Sequence, residues 1–538
     1  MNRTGLHPLV AIGLAGILAI ALAGFGFPRG GQAAAPTTLV VAIGIDADTL
    51  DPEGQTTTTI ANIVDYMFDS LVWPDDERSG VQPGQPQYTK LVPQLATSWT
   101  VSPDGLTYTF KIRQGVKFQD GTDLDAEAVK FNVQRWLDPA VRNPNRYYFT
   151  DIDPSRIETP DRYTVVLHLK QSSPTLLGRI AAGPGEILSP AAVRKIGNDK
   201  IPLGPADAGT GPYIFKEWIH GDHITLVKNP NYWGRKPYFD VVTFRVVPNA
   251  GTRETMLRAG DVQLAFAPPA PDLPGLRRDQ SLRVVEGPSD RDVFIGLNNQ
   301  WGPLKDVKVR QALNYAVNKQ AIIHSILFGL GTVLESPTTP ALFGYAKVQA
   351  GGWPFNPVLA KKMLAEAGYS QGFTVTFRTP TGRYIQDYQF AQAVAAQLAN
   401  VGVKAQIQTT DWPTYVKWIT TPLEQTPVQI FVLGWATQYL DADGELFGQF
   451  YSGQWPPRGL APSFYKNAKV DELLLAGQTT ADPKKRVAIY KEAQDLIWKD
   501  APWIFLWSQN FYVVTSSHLE GVRTTPNEKF AAIYATWK

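Results

Sequence analysis

The sequence contains no cysteine. That single absence excludes a disulfide framework, thiolate catalysis, Cys-ligated zinc and the lipid-modified cysteine that anchors many exported proteins. Histidine is scarce too, with six in 538 residues. Only His220 and His223 are neighbours, flanking Gly221-Asp222, a natural hairpin turn. With no H-E-x-x-H and no further ligands at matching spacing, they read as exposed turn residues and not as a zinc site. A phosphate loop of the form G-x-x-x-x-G-K-[ST] is missing, and Gly209-Thr210-Gly211-Pro212 does not supply one. Nor are Lys and Arg clustered as phosphate or membrane-surface binding demands, which excludes nucleic acid as the expected partner.

Catalytic patterns fail on context. Gly368-Tyr369-Ser370-Gln371-Gly372 matches G-x-S-x-G, but it follows a predicted helix and precedes a predicted strand, the reverse of a nucleophile elbow. Asp441 and Asp443 form an acid pair of the kind glycosidases use, yet two carboxylates two residues apart prove little. A secreted hydrolase would have to rest on Ser370 and the His220/His223 pair. The reading is therefore a protein that is not an enzyme, with no catalytic residue, no metal and no cofactor.

What is present begins with an export signal. Arg3 precedes an apolar run from Leu9 to Ala23, and small residues end in Ala33, Ala34 and Ala35, so residues 1–35 read as a signal peptide. A membrane span takes about 20 predominantly apolar residues, and this run is shorter and interrupted by glycine. Without 1–35, which carry Arg3 and Arg29 and no acid, 49 basic residues face 49 acidic ones. The expected product is periplasmic and soluble after cleavage, with no lipid anchor.

About 500 remaining residues exceed what one hydrophobic core serves, so several compact units are expected. Strand Thr38 to Gly44 opens the mature chain, and a Pro/Gly-rich loop spans Pro83 to Pro86. Leu106, Tyr108, Phe110 and Ile112 alternate as a half-buried strand does, as do Tyr163, Val165, Leu167 and Leu169. Between them Val129, Val133 and Trp136 recur at helical spacing. Strands are predicted at Tyr213 to Trp218, His223 to Val227, Val241 to Val247 and Val293 to Leu297. Helices then alternate with strands: a helix from Asn356-Pro357, strand Phe373 to Phe377, a helix through Phe390 to Val401, and strands Val403 to Ile407 and Val428 to Leu433. A helix opening at Asp482-Pro483 and strand Ile504 to Val514 complete the chain.

Longer blocks carry a resemblance. Leu91-Val-Pro-Gln-Leu-Ala-Thr-Ser-Trp99, Ser102-Pro-Asp-Gly-Leu-Thr-Tyr-Thr-Phe110, Arg113-Gln-Gly-Val-Lys-Phe118, Asp120-Gly-Thr122, Gly209-Thr-Gly-Pro-Tyr213, Asn229-Pro-Asn-Tyr-Trp233, Val309-Arg-Gln-Ala-Leu-Asn-Tyr-Ala316 and Ala365-Glu-Ala-Gly-Tyr369 occur in one order. In these blocks the sequence resembles family 5 of extracellular solute-binding proteins, the dipeptide, oligopeptide and nickel receptors of ABC importers. The resemblance implies an α/β, two-lobed periplasmic-binding-protein fold of the large dipeptide/oligopeptide-binding type. Lobe 1 would comprise 36–69, 208–297 and 506–538, with an α+β subdomain inserted at 70–207, and lobe 2 would comprise 298–505. A monomer would hold a small molecule or peptide between the lobes, across a hinge of two strands, and pass it to an inner-membrane ABC permease.

Site residues follow one by one from the resemblance. Arg383, in Thr381-Gly-Arg-Tyr384, corresponds to the arginine that binds a ligand carboxylate in peptide-binding relatives, a task its planar donors suit; a solvated loop arginine is the plainer reading. Three residues after Trp435, those relatives carry an aspartate for the peptide ammonium, whereas this chain has Gln438. An amide accepts a hydrogen bond but cannot neutralise a buried cation. Asp441-Ala442-Asp443 resembles the family's Asp-Pro-Asp and reads as loop structure, unless Asp441 has taken over the cationic role. Trp412, Trp418 and Trp435 fall near the expected cleft, where rings suit apolar side chains or sugar faces. The expected contacts are Arg383, Tyr384, Trp412, Trp435, Gln438 and Asp441. Peptide-like ligands come first, and an amino-acid derivative or oligosaccharide second.

Overall fold

A computed structural model describes residues 37–54, 57–74, 90–349, 351–410 and 412–538. The predicted signal peptide over 1–35 and the loop Pro83 to Pro86 lie outside the described residues. Among the described residues no helix is long and apolar enough to cross a membrane.

Alternation and capping place the elements where the side-chain pattern puts them. Thr107–Ile112 forms a strand with Tyr108, Phe110 and Ile112 turned inward, and it pairs antiparallel with Thr164–Leu169. Asp125 caps the helix Ala126–Leu137 by accepting from the Ala128 N–H at 2.9 Å, the usual relief for an unpaired first-turn donor. Val129, Val133 and Trp136 of that helix are fully buried against the four-stranded sheet Ala96–Val101, Thr107–Ile112, Thr164–Leu169 and Ile152–Asp161. Trp136 stacks on Phe149 at 4.5 Å. Each fully buried Phe here contributes roughly 1.5–3 kcal/mol relative to exposure.

The short strands Val72–Pro74 with Leu91–Pro93, Leu519–Glu520 with Thr536–Trp537, and Arg523–Thr524 with Phe530–Ala531 form separate pairs, and eleven further strands join one sheet. Its order runs Val403–Thr410, Phe373–Pro380, Ile430–Trp435, Leu282–Leu297, Trp503–Ser516, Leu264–Phe266, Thr38–Ile43, Val241–Val246, His223–Lys228 and Tyr213–Ile219, with Gly331–Val333 set against Trp503–Ser516. Helix Pro357–Glu366, capped by Asn356, leads into Phe373–Pro380, and helix Asp387–Ala399 connects that strand to its parallel neighbour Val403–Thr410. Helix Pro483–Asp500, capped by Asp482, leads into the last long strand.

One strand differs from its prediction. Val293 to Leu297 is only the end of a 16-residue strand beginning at Leu282. Gly287-Pro288-Ser289 reads as a break, but pairing with Trp503–Ser516 continues on both sides of a bulge between Pro288 and Asp292, the irregularity that accommodates a proline in a sheet. The bulge displaces three consecutive charged residues, Asp290, Arg291 and Asp292, and all three are buried.

Candidate functional site

The expected contacts form two groups on either side of those buried charges. In the first, Asp387 holds a tight loop: its carboxylate accepts from the backbone N–H groups of Gly382 at 3.0 Å, Arg383 at 2.8 Å and Tyr384 at 3.1 Å. Arg383 is an exposed residue whose guanidinium lies over the rings of Tyr384, at 5.1 Å, and Trp412, at 5.2 Å, and desolvation there lowers its pKa. No carboxylate among the described residues lies within ion-pair distance of it, while the Arg291 charge is near enough to repel it. Tyr384 is buried, donates to the Gly434 carbonyl at 3.3 Å, and meets Trp412 edge to face at 6.2 Å. A Cβ on Gly434 would lie 2.7 Å from the Tyr384 ring, which is why glycine precedes Trp435.

The intervening network is almost entirely internal. Arg291 donates to Glu528 through two nitrogens, at 2.8 and 2.6 Å. Asp290 accepts from the backbone N–H groups of Thr437, at 2.8 Å, and Gln438, at 3.2 Å. Burial, with Glu528 nearby, pushes Asp290 up to about 7. Asp292 and Glu445 are both fully buried, and each carboxyl acts electrostatically on the other. Burial lifts both well above the ordinary carboxylate range, Asp292 to about 7.

Asp290 fixes the second group. By binding the N–H of Gln438 it holds that residue at φ 56°, a left-handed conformation that costs a non-glycine residue. Asp441 is occupied: its oxygens accept from Arg486 at 2.9 and 2.7 Å, and it caps the helix Ala442–Phe450 through the Asp443 N–H at 2.9 Å. Trp435 donates its indole N–H to the Gly444 carbonyl at 3.0 Å and leaves its ring half-buried.

Two cavities meet at Tyr439, which lines both. The smaller, about 300 Å³, is bordered by Gln438, Asp441, Arg486 and Phe343 on one side and Tyr108 and Leu177 on the other. The larger, about 690 Å³, has walls from residues 147–179 and from residues 435–478. Tyr148, Trp435 and Phe447 supply aromatic surface there, and Asp151, Arg179, Asp443 and Gln478 supply polar groups. Arg179 pairs with Asp151 at 3.1 Å and reaches Asp443 at 3.5 Å. Arg458 also lines this cavity, exposed and without an ion-pair partner among the described residues.

Trp435 thus borders the larger cavity, Gln438 and Asp441 the smaller one, and Arg383, Tyr384 and Trp412 neither. Sequence reasoning passed over Tyr148, Asp151, Arg179 and Gln478, which stand alone in the chain with no pattern to mark them. His220 is an exposed turn residue beside Asp46, whereas His223, expected in the turn, opens the strand His223–Lys228 and is half-buried beside Asp222. Ser370 lies between the helix Pro357–Glu366 and the strand Phe373–Pro380.

Residues 90–457 match the family described as bacterial extracellular solute-binding proteins, family 5 middle. The glutathione-binding protein GsiB of Escherichia coli K12 is 33% identical over 533 residues, covering 99% of this chain and 98% of its own. Among solved structures, HbpA2 from Haemophilus parasuis has a TM-score of 0.81 at 26% identity, with 93% of this chain and 100% of that one covered. DppA from Helicobacter pylori, in complex with the peptide STSA, has a TM-score of 0.75 at 27% identity, with 93% and 98% covered.

Proposed function

Because this chain belongs to the bacterial extracellular solute-binding proteins of family 5, we propose that it is the substrate-binding component of an ABC importer, capturing a small peptide or peptide-like solute. The observation that carries the reading is the larger cavity. Its volume of about 690 Å³ falls within the usual range for small-molecule sites, about 300–1,000 Å³, and its wall of aromatic rings with a few convergent charges is the usual composition of such a site. Glutathione and a tetrapeptide are the compounds named for two of the relatives.

Capture proceeds without chemistry in this reading. The residues bordering the larger cavity include no histidine, and the carboxylate to which Ser173 donates at 2.8 Å, Asp151, is already paired with Arg179. Opposite walls come from 147–179 and 435–478, segments of the inserted subdomain and of the second lobe in the division proposed from the sequence. Approach of those walls around a ligand would bury it, using binding energy to shift an open–closed equilibrium. The closed form is then what an inner-membrane permease reads. Residues 1–35 direct export to the periplasm, and the mature chain works as a monomer. Arg383 borders neither cavity, so as the contact for a ligand carboxylate it would receive a ligand that extends beyond the larger one; its lack of an acid partner among the described residues supports that role.

Thermal-shift titration of the mature protein with glutathione, the tetrapeptide Ser-Thr-Ser-Ala and oligosaccharides tests this. A saturable ligand raises the melting temperature by mass action. Peptides or glutathione should do so and be recovered intact by mass spectrometry. Stabilisation by oligosaccharides alone, or turnover of the added compound, overturns the reading.

A further inference from the structure

Gln438 stands where the resemblance expects an ammonium-binding carboxylate, and Asp441, the nearest replacement in sequence, is bound to Arg486. The larger cavity holds a different candidate. Asp443 has a side chain only 3% exposed, yet it lines that cavity.

Its partners are few and distant. The hydroxyls of Tyr439 and Tyr490 donate to it at 3.4 and 3.5 Å and Arg179 at 3.5 Å, with the Gln478 side chain close by. Good hydrogen bonds to oxygen fall near 2.7–3.2 Å, and Asp441, two residues away, has its guanidinium at 2.7 and 2.9 Å. Asp443 is therefore a buried carboxylate in a socket slightly too wide for it. Burial lifts its carboxyl above the ordinary range, as expected for a charge that has lost water and gained little in exchange.

The surroundings suit a cation. In the walls of the cavity Asp151 and Asp443 face Arg179, which holds Asp151 at the shorter distance of 3.1 Å. Arg458 balances the lining as a whole, so the excess negative charge is confined to the Asp151–Arg179–Asp443 cluster. Tyr439, Tyr148, Trp435 and Phe447 add ring faces, which attract ammonium groups. Asp443 also lies in the first turn of the helix Ala442–Phe450, where the helix dipole favours an anion.

Resting on the capture reading above, we infer that Asp443 is the specificity-determining residue that receives the primary ammonium group of the ligand, in place of the carboxylate absent at Gln438. The solute class follows: a free-amine peptide or amino-acid derivative, with its amine at the Asp443 end of the cavity.

The test is calorimetric titration of the unaltered protein, Asp443→Asn and Gln438→Ala with glutathione and Ser-Thr-Ser-Ala, each also as its N-acetyl derivative. For the unaltered protein, acetylation should weaken binding roughly 30-fold or more, the scale for removing one partner of a buried charge pair. Asp443→Asn should lose a similar factor for the free amine and show almost no further loss on acetylation. Gln438→Ala should keep the discrimination. A crystal structure of the complex gives a second measurement independent of any variant: the ammonium nitrogen should lie within about 3.2 Å of Asp443. Persistence of the acetylation penalty in Asp443→Asn, or an ammonium bound elsewhere, overturns the assignment while leaving capture intact. Failure of the unaltered protein to bind any of these probes overturns the capture reading, and the assignment with it.

Discussion

Asp441 and Arg486 meet through two hydrogen bonds of 2.9 and 2.7 Å, joining the start of one helix, Ala442–Phe450, to the first turns of another, Pro483–Asp500. Both residues are buried, and the guanidinium also donates to the Tyr490 hydroxyl at 2.9 Å and the Gly477 carbonyl at 3.0 Å. The pair supports the floor of the smaller cavity. It leaves Asp441 no free oxygen to offer a ligand cation.

Breaking this pair should therefore be seen in stability more than in specificity. Asp441→Asn leaves a buried guanidinium half-satisfied and should cost roughly 3–5 kcal/mol in urea unfolding. Its ratio of affinities for free and N-acetylated ligand should match the unaltered protein. A collapse of that ratio with little loss of stability would make Asp441 a ligand contact after all.

Asp292 and Glu445 set a pH dependence. Asp292 rises from an ordinary 3.8 to about 7 on burial, and Glu445 is raised as well, so the folded chain binds protons more tightly than the unfolded one. Their stabilising contribution is complete below about pH 4 and is lost as pH rises through 7, by about 1.4 kcal/mol per pH unit for each group titrating. The double variant Asp292→Asn/Glu445→Gln, which keeps the shape without the proton, should gain melting temperature over the unaltered protein at pH 8 relative to pH 5. Parallel melting curves across that range would remove the pair from the account.

Two arginines offer a site for a ligand carboxylate. Arg383, held by Asp387 and stacked on Tyr384 and Trp412, should lose roughly 30-fold in affinity as Arg383→Gln, and C-amidation of the peptide should cost that variant nothing more. Arg458→Gln, at an exposed position on the larger cavity, should lose no more than about fivefold, as solvent-screened pairs do. The reverse order would move the carboxylate to Arg458.

The elements were largely legible because each is written in a local signal: alternation in Tyr108, Phe110 and Ile112, and caps such as Asp125, Asn356 and Asp482. The strand starting at Leu282 was not, because Gly287 and Pro288 punctuate a sequence whose pairing survives through a bulge. The site was legible only where a motif marks it. Trp435 and Gln438 stand in a recognisable stretch, and Asp443 was visible beside Asp441 without a hint of which acid is engaged. Arg179 and Asp151 carry no pattern, since they reach the cavity from about 260 to 290 residues away in sequence, and only tertiary packing unites them with Asp443.

Tyr439 is the common wall of both cavities, and it is wedged between two glycines: a Cβ on Gly178 would lie 3.1 Å from its carbonyl oxygen, and one on Gly444 2.6 Å from its hydroxyl. On the capture reading, that single phenol would set how long a ligand can be. With the ring in place a chain extending past Asp443 meets a partition. Tyr439→Ala should join the two spaces and move the preferred ligand, in affinity measurements on a ladder of di- to hexapeptides, toward greater length. Gly444→Ala should tilt the ring and blur the cutoff. Unchanged length preference in both would mean that the chain's reach is measured elsewhere. On that reading the ruler would be one aromatic side chain, its calibration kept by the absence of two methyl groups.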